Sequence, residues 1–232
     1  MELVLVRHAQ PQWYVDDAHQ GIDPCLSELG FRQAELLADE LEGEHFDHIF
    51  VSPLLRARQT VAPLLKRLER DEVVVEWLRE IKDPPWAGDS RANVQALFDA
   101  EDIAPLDHRW NGLPGGERID DFHDRINVGL DSFLADYGIT RHEHEIPSWA
   151  ALDGDPAVVA NGPKILWIAH GGTNAVVTAA LLGANRAPFD WFRFWYGHAT
   201  IGRFQARSTS GIIFFAQRGM ENHHIPPDMR TA

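Results

Sequence analysis

The chain has 232 residues, 44% hydrophobic and 24% charged, the composition of a globular protein with one large domain or two small ones. Its 35 acidic against 21 basic residues give a formal net charge of −14, which excludes a broad nucleic-acid or anionic-membrane surface and confines any anion pocket to a local basic cluster. The single Cys25 cannot form an internal disulfide and suits a reducing compartment, and no apolar run has the length of a membrane span or a signal peptide, so the expected location is the cytoplasm.

In chain order, Leu3–Val6 is a short apolar run that stops abruptly at Arg7-His8, as a buried strand would. Ser27 can N-cap a helix to about Leu41, with Leu29, Leu36, Leu37 and Leu41 at helical spacing. His48–Val51 is a second strand. Ser52-Pro53 then has the form of an N-cap followed by first-turn proline, opening a helix with Leu54, Ala57, Val61, Leu64, Leu65 and Leu68 on one face. Val73–Val75 is a third strand.

Residues 81–116 are rich in Pro, Trp and Gly, hold one helix near Arg91–Phe98, and are expected to cap a pocket. A longer helix covers about Ile119 to Tyr137. Residues 140–163 are polar and acidic and are expected to be a surface excursion. Lys164–Ala169 is a fourth strand, followed by His170-Gly171-Gly172 and a helix from Thr173 to Leu182 closed by Gly183. Ile201–Arg207 and Gly211–Gln217 form a hairpin. The expected organisation is one domain over 1–232.

Strands alternating with helices predict an α/β fold, a three-layer α/β/α sandwich with a mostly parallel central sheet. Such sheets bind ligands at the carboxyl ends of their strands. Arg7-His8, Ser52 with Arg56, Glu80 and His170-Gly171-Gly172 all fall at or just beyond strand ends. Taken singly, each has an ordinary explanation as a solvated or backbone-satisfied side chain; four together do not.

The chemistry these residues suggest is phosphoryl transfer. Arginine's planar donor fork matches two phosphate oxygens and keeps its charge. Amides at the start of a helix add donors. An imidazole can attack phosphorus and hold the phosphoryl group, a second protonated imidazole can stabilise its charge, and a carboxylic acid can protonate the leaving oxygen. No cofactor is implied. The metal alternative rests on His142-x-His144 and His223-His224, neither of which has a second ligand pair at zinc spacing. A Gly-x-Ser-x-Gly nucleophile elbow is absent.

In this order and spacing, Arg7-His8-Ala9, Gln20–Gly30 with Gln33-Ala34, Ser52–Thr60, Leu78-Arg79-Glu80, Pro114–Glu117 and Ala169–Gly172 resemble the histidine phosphatase superfamily, in its phosphoglycerate-mutase-like branch. The resemblance implies a phosphohistidine on His8, with Glu80 as acid then base and His170 as the third catalytic residue. It implies phosphoryl or substrate binding by Arg7, Arg56, Gln20, Gly21 and Gly171. Asp83 is the fallback for Glu80, Arg125 stands where such proteins often carry Arg, and His198 is read as structural.

Pro11, Tyr14 and Arg118 depart from the family pattern. The segment after Glu80, Ile81 to Gly88, lacks the Tyr and Lys that the glycolytic mutases use for phosphoglycerate, which favours a phosphatase of small phosphorylated metabolites over a mutase. A catalytically silent phospho-ligand-binding module is the remaining alternative. The expected partner is a small-molecule phosphate ester, with no nucleic acid and no membrane; a homodimer is left open.

Overall fold

The computed structural model describes residues 1–142 and 147–232. In chain order its elements are β1 (Glu2–Arg7), β2 (Tyr14–Val15), β3 (Ala18–His19), α1 (Glu28–Leu41), β4 (His48–Val51), α2 (Leu55–Leu68), β5 (Val73–Val74), α3 (Arg91–Asp102), α4 (Ile119–Asp136), β6 (Ile139–His142), β7 (Ser148–Ala151), α5 (Pro156–Ala160), β8 (Lys164–Ala169), α6 (Gly171–Leu181), α7 (Asp190–Arg193), β9 (Ile201–Thr209) and β10 (Ile212–Glu221).

Eight strands form one sheet in the order β5-β4-β8-β1-β9-β10-β7-β6, and β2-β3 is a separate small ribbon. β5, β4, β8 and β1 pair in parallel, and the remaining neighbours pair antiparallel. By direction, β5, β4, β8, β1, β10 and β6 run one way, and β9 and β7 run the other.

Alternation along the central strands assigns the two faces. Leu3 and Leu5 of β1, with Ile165 and Trp167 of β8, pack with Phe122, Ile126, Leu130, Phe133 and Leu134 of α4 and Val176, Val177 and Leu181 of α6. Val4 and Val6, with Leu166 and Ile168, pack with Leu37 and Leu41 of α1 and Ala57, Val61 and Leu64 of α2. Both faces of the same strands are therefore covered, so their sequences read as continuous apolar runs. On the α4 side, the Trp167 indole meets Trp77 and Phe133 edge-on at 5.3 and 4.8 Å between ring centroids. Gly129 of α4 is required there, because a Cβ would overlap the Trp77 ring.

Ser27 caps α1 as its position predicts, its Oγ accepting from the Gly30 N–H at 3.0 Å. Three expectations change. Ser52 is not the cap of α2: the helix starts at Leu55 with Leu54 at the N-cap, and the Ser52 hydroxyl faces another partner. The helix after β8 starts at Gly171, two residues earlier than expected. Within residues 140–163, the described residues include regular structure that a surface excursion would lack: β6 and β7 add antiparallel strands to the sheet edge, and α5 follows. His144 lies outside the described residues.

Candidate active site

Strand register brings the site together. Val6 pairs with Ile168, and Ile168 pairs with Val51, so β1, β8 and β4 end at one level. The ladder continues one bond further, with the His8 N–H donating to Ala169 O and the Ser52 N–H to Ile168 O, both at 2.9 Å. His8, His170 and Ser52 therefore emerge side by side at the carboxyl edge of the sheet.

His8 is buried, 3% exposed. Its Nδ1 lies 2.7 Å from Ala9 O, which can only accept, so Nδ1 carries the proton. Its Nε2 accepts from Arg56 Nε at 3.3 Å. That tautomer leaves the Nε2 lone pair on the cationic side of the ring. Burial first, then the charge of Arg56, holds the imidazole well below its ordinary pKa, so His8 is neutral.

The loop carrying His8 is pinned from two sides. Ala9 N–H donates to Thr60 Oγ1 at 2.9 Å, and Gln10 N–H to Gln33 Oε1 at 2.8 Å.

Arg56 sits in the first turn of α2, buried, with Nη1 on Ile22 O at 3.0 Å and its guanidinium carbon 5.1 Å from the centre of the Trp13 ring. Arg7 donates from Nη1 to Tyr196 O at 2.6 Å, while its Nε is buried without a partner. Burial lowers the Arg7 pKa to about 10, opposed by Glu80, and lowers that of Arg56 as well. Two desolvated guanidiniums at one strand edge form a site that an anion would relieve.

The His170 ring centre is 5.0 Å from that of His8. Its Nε2 is 2.6 Å from Ser52 Oγ, and its Nδ1 is buried with no partner. Burial and the charges of Arg56 and Arg7 push it well below its ordinary pKa. His170 is therefore held neutral, so the protonated form that could stabilise charge is disfavoured here. When the Ser52 hydroxyl donates to Nε2, Nδ1 carries the hydrogen and is left as an unused donor.

Glu80 reaches the N-terminus of α6, accepting from Gly172 N–H at 2.9 Å and Thr173 N–H at 3.1 Å, and also from Ile81 N–H at 3.0 Å. Gly172 leaves room for it, since a Cβ there would meet Glu80 Oε1 at 2.6 Å.

The Glu80 loop is clamped from behind by Arg125, which donates to the carbonyls of Trp77, Arg79 and Glu80 and pairs with Glu117 at 2.9 Å. Asp83 is half-buried in the cavity wall; burial, reinforced by Glu80 and opposed by Arg56, raises its pKa to about 7.

A cavity of about 320 Å³ is lined in part by Arg7, His8, Arg56, Glu80, Asp83 and Gly171, while His170 is buried and is not among its lining residues. Residues of the 81–116 segment line part of the cavity, Phe98 and Leu113 among them. Gln20 and Gly21 do not line the cavity: Gln20 is exposed with Nε2 on Ala18 O, and the Gly21 N–H donates to His19 Nδ1. Their segment reaches the site through Ile22 and Asp23, which flank Arg56.

His198, read from sequence as structural, has its ring 5.5 Å from His8 and its Nε2 buried and unpartnered. Burial lowers its pKa to about 2. Trp191 and Phe192 of α7 also line the cavity, and no motif in the sequence marks them. Of the histidines weighed as metal ligands, His223 pairs with Glu40 and His224 bonds to Ala199 O. No helix among the described residues is long and apolar enough to cross a membrane.

The chain is similar to several known proteins. It is 34% identical over 138 residues to a phosphoserine phosphatase of Hydrogenobacter thermophilus, covering 56% of this chain and 63% of that protein. It is 31% identical over 187 residues to a glucosyl-3-phosphoglycerate phosphatase of Mycolicibacterium vanbaalenii, covering 78% and 74%. The solved mycobacterial glucosyl-3-phosphoglycerate phosphatase superposes with a TM-score of 0.66 at 28% identity, over 94% of this chain and 96% of that one. A family profile matches residues 3–144, more than half of the sequence, and with that match the chain belongs to the histidine phosphatase superfamily, branch 1.

Proposed function

We propose that this protein is a metal-independent phosphomonoesterase that hydrolyses small phosphorylated metabolites through a phosphohistidine on His8. The observation that carries the reading is the buried, neutral His8, its Nε2 lone pair held against Arg56. The relatives' names, phosphoserine phosphatase and glucosyl-3-phosphoglycerate phosphatase, support phosphate-ester hydrolysis as the reaction class. The single Cys25, exposed and free, supports a reducing location, the cytoplasm.

In the first step His8 Nε2 attacks phosphorus in line with the ester oxygen. The N–P bond forms as the P–O bond breaks. The leaving oxygen takes a proton from a carboxylic acid, assigned to Glu80 with Asp83 as its neighbour in the wall. Arg7, Arg56 and the unused Nδ1–H of His170 neutralise charge on the transferring oxygens. In the second step the carboxylate takes a proton from water, the oxygen attacks phosphorus, the N–P bond breaks, and His8 is restored as phosphate leaves.

Hydrolysis of an aryl phosphate in excess chelator, wild type beside His8→Ala, tests the reading. Turnover that survives the chelator and vanishes in the variant is the expected result. Turnover that needs a divalent ion, or that persists in His8→Ala, overturns it.

A further inference from the structure

Beyond the phosphate-binding end, the cavity changes character. Trp191 and Phe192 of α7, followed by Trp195, form one wall. Phe98 of α3 and Leu113 line the same cavity. Trp195 is 55% exposed, Phe192 59% and Phe98 43%, so the walls hold apolar surface still open to burial. Exposed aromatics grouped around a cavity mark a binding surface more than a packing accident.

This wall is fixed to the phosphate end. The carbonyl that Arg7 grips at 2.6 Å belongs to Tyr196, next to Trp195. The Tyr196 hydroxyl is tied in turn to Thr178 of α6 at 2.9 Å. At the start of α7, buried Asp190 bonds Arg193 at 2.9 Å. The aromatic surface is therefore held at a set distance from the phosphoryl group.

Charge along the wall points the same way. Apart from Arg7 and Arg56, the cations lining the cavity are Lys82 and Arg109, and Arg109 is already on Asp102 O at 2.6 Å. The lining carboxylates include Asp83, Glu101, Asp102 and Glu117, of which Glu117 is matched by Arg125. A substrate carboxylate would meet more negative than positive charge there.

We infer that the substrate is a phosphate monoester whose organic part is an uncharged aromatic or similarly flat apolar group, stacked between Trp191, Trp195 and Phe98, and not a phosphorylated hydroxy or amino acid. The inference rests on the phosphatase reading and departs from the acids named for the relatives.

The test compares primary alkyl esters, so that the leaving oxygen is alike: 2-phenylethyl phosphate, 3-phosphoglycerate, phosphoserine and phosphocholine. The expected kcat/KM for 2-phenylethyl phosphate exceeds that for either acid by about tenfold or more. Trp195→Ala and Phe98→Ala are expected to narrow that ratio by raising KM for the aromatic ester, and Trp195→Phe to restore most of it.

An equal or reversed preference, with turnover still dependent on His8, overturns the inference and leaves the phosphatase reading in place. Phosphocholine as the best substrate reassigns the aromatic walls to a cation and also overturns it. No turnover of any ester and no phosphoenzyme removes the phosphatase reading, and the inference with it.

Discussion

Arg56 Nε donates to His8 Nε2 across 3.3 Å, so the nitrogen proposed to attack phosphorus is hydrogen-bonded to a guanidinium that also attracts the phosphate. A lone pair pointed at a buried cation is weakly basic, consistent with the depressed pKa of His8. In the proposed reaction an arriving phosphoryl group takes over the guanidinium and frees the lone pair in one event. Arg56→Lys keeps the charge but loses the planar fork. It is expected to raise KM and lower kcat, together by 100-fold or so in kcat/KM. Steady-state kinetics on an aryl phosphate check this; wild-type values would show that the fork is not used.

The carboxylates at Glu80 and Asp83 can be separated by leaving group and pH. Glu80→Gln is expected to slow alkyl phosphates by about 100-fold or more, and aryl phosphates less, because a good leaving group needs no proton. Asp83 has its pKa raised to about 7, so it is protonated below that pH and charged above it. Activity should therefore fall as pH rises through about 7, and Asp83→Asn should remove that limb. A leaving-group-dependent loss in Asp83→Asn, with Glu80→Gln unaffected, would transfer the acid role to Asp83.

The same raised pKa has a stability consequence. An unfolded Asp ionises near its ordinary value of 3.8, whereas the folded one resists until about 7. The folded state binds the extra proton between these values, so Asp83 lowers stability as pH rises from about 4 to 7. Asp83→Asn is expected to gain Tm relative to wild type at pH 8 and not at pH 4. Thermal melts at the two pH values check the sign.

Gly171 and Gly172 differ in what a side chain would meet. A Cβ at Gly172 lands 2.6 Å from Glu80 Oε1, whereas one at Gly171 has 3.4 Å to Arg7 Nε. Gly172→Ala is expected to displace the Glu80 carboxylate and cost at least about tenfold in kcat with little change in Tm, since that carboxylate is the end of a flexible side chain. Gly171→Ala is expected to cost less. Equal losses in the two variants would remove the role given to the Glu80 position.

Arg125 touches no part of the cavity and acts through the carbonyls of Trp77, Arg79 and Glu80. Arg125→Ala is expected to lower kcat by about 10- to 100-fold while KM changes little, with partial recovery in Arg125→Lys. A loss in Tm with unchanged kcat would mark it as structural alone.

Much of this site was legible because strand ends are local events. The apolar runs before Arg7, Ser52 and His170 report where a buried strand stops, whereas Glu80 follows the short, exposed β5 at a distance and is marked by its motif alone. What could not be read depends on contacts far apart in sequence. Ser52 looks like a helix cap, but the His170 imidazole, 118 residues away, claims its hydroxyl. β6 and β7 are four residues each and mix polar with apolar residues, so their edge pairing leaves little trace in sequence. His198 meets the His8 ring, and the α7 aromatics line the cavity, through contacts with segments far away in sequence, and no local spacing announces them.

The central claim is a bond between phosphorus and one nitrogen of His8. Rapid quench during turnover of a labelled ester, followed by peptide mapping and phosphorus NMR at neutral pH, reads both the residue and the ring atom. The account predicts an acid-labile phosphate on His8 Nε2, because Nδ1 is committed to Ala9 O. Phosphate on Nδ1, on another residue, or on none during active turnover would contradict it.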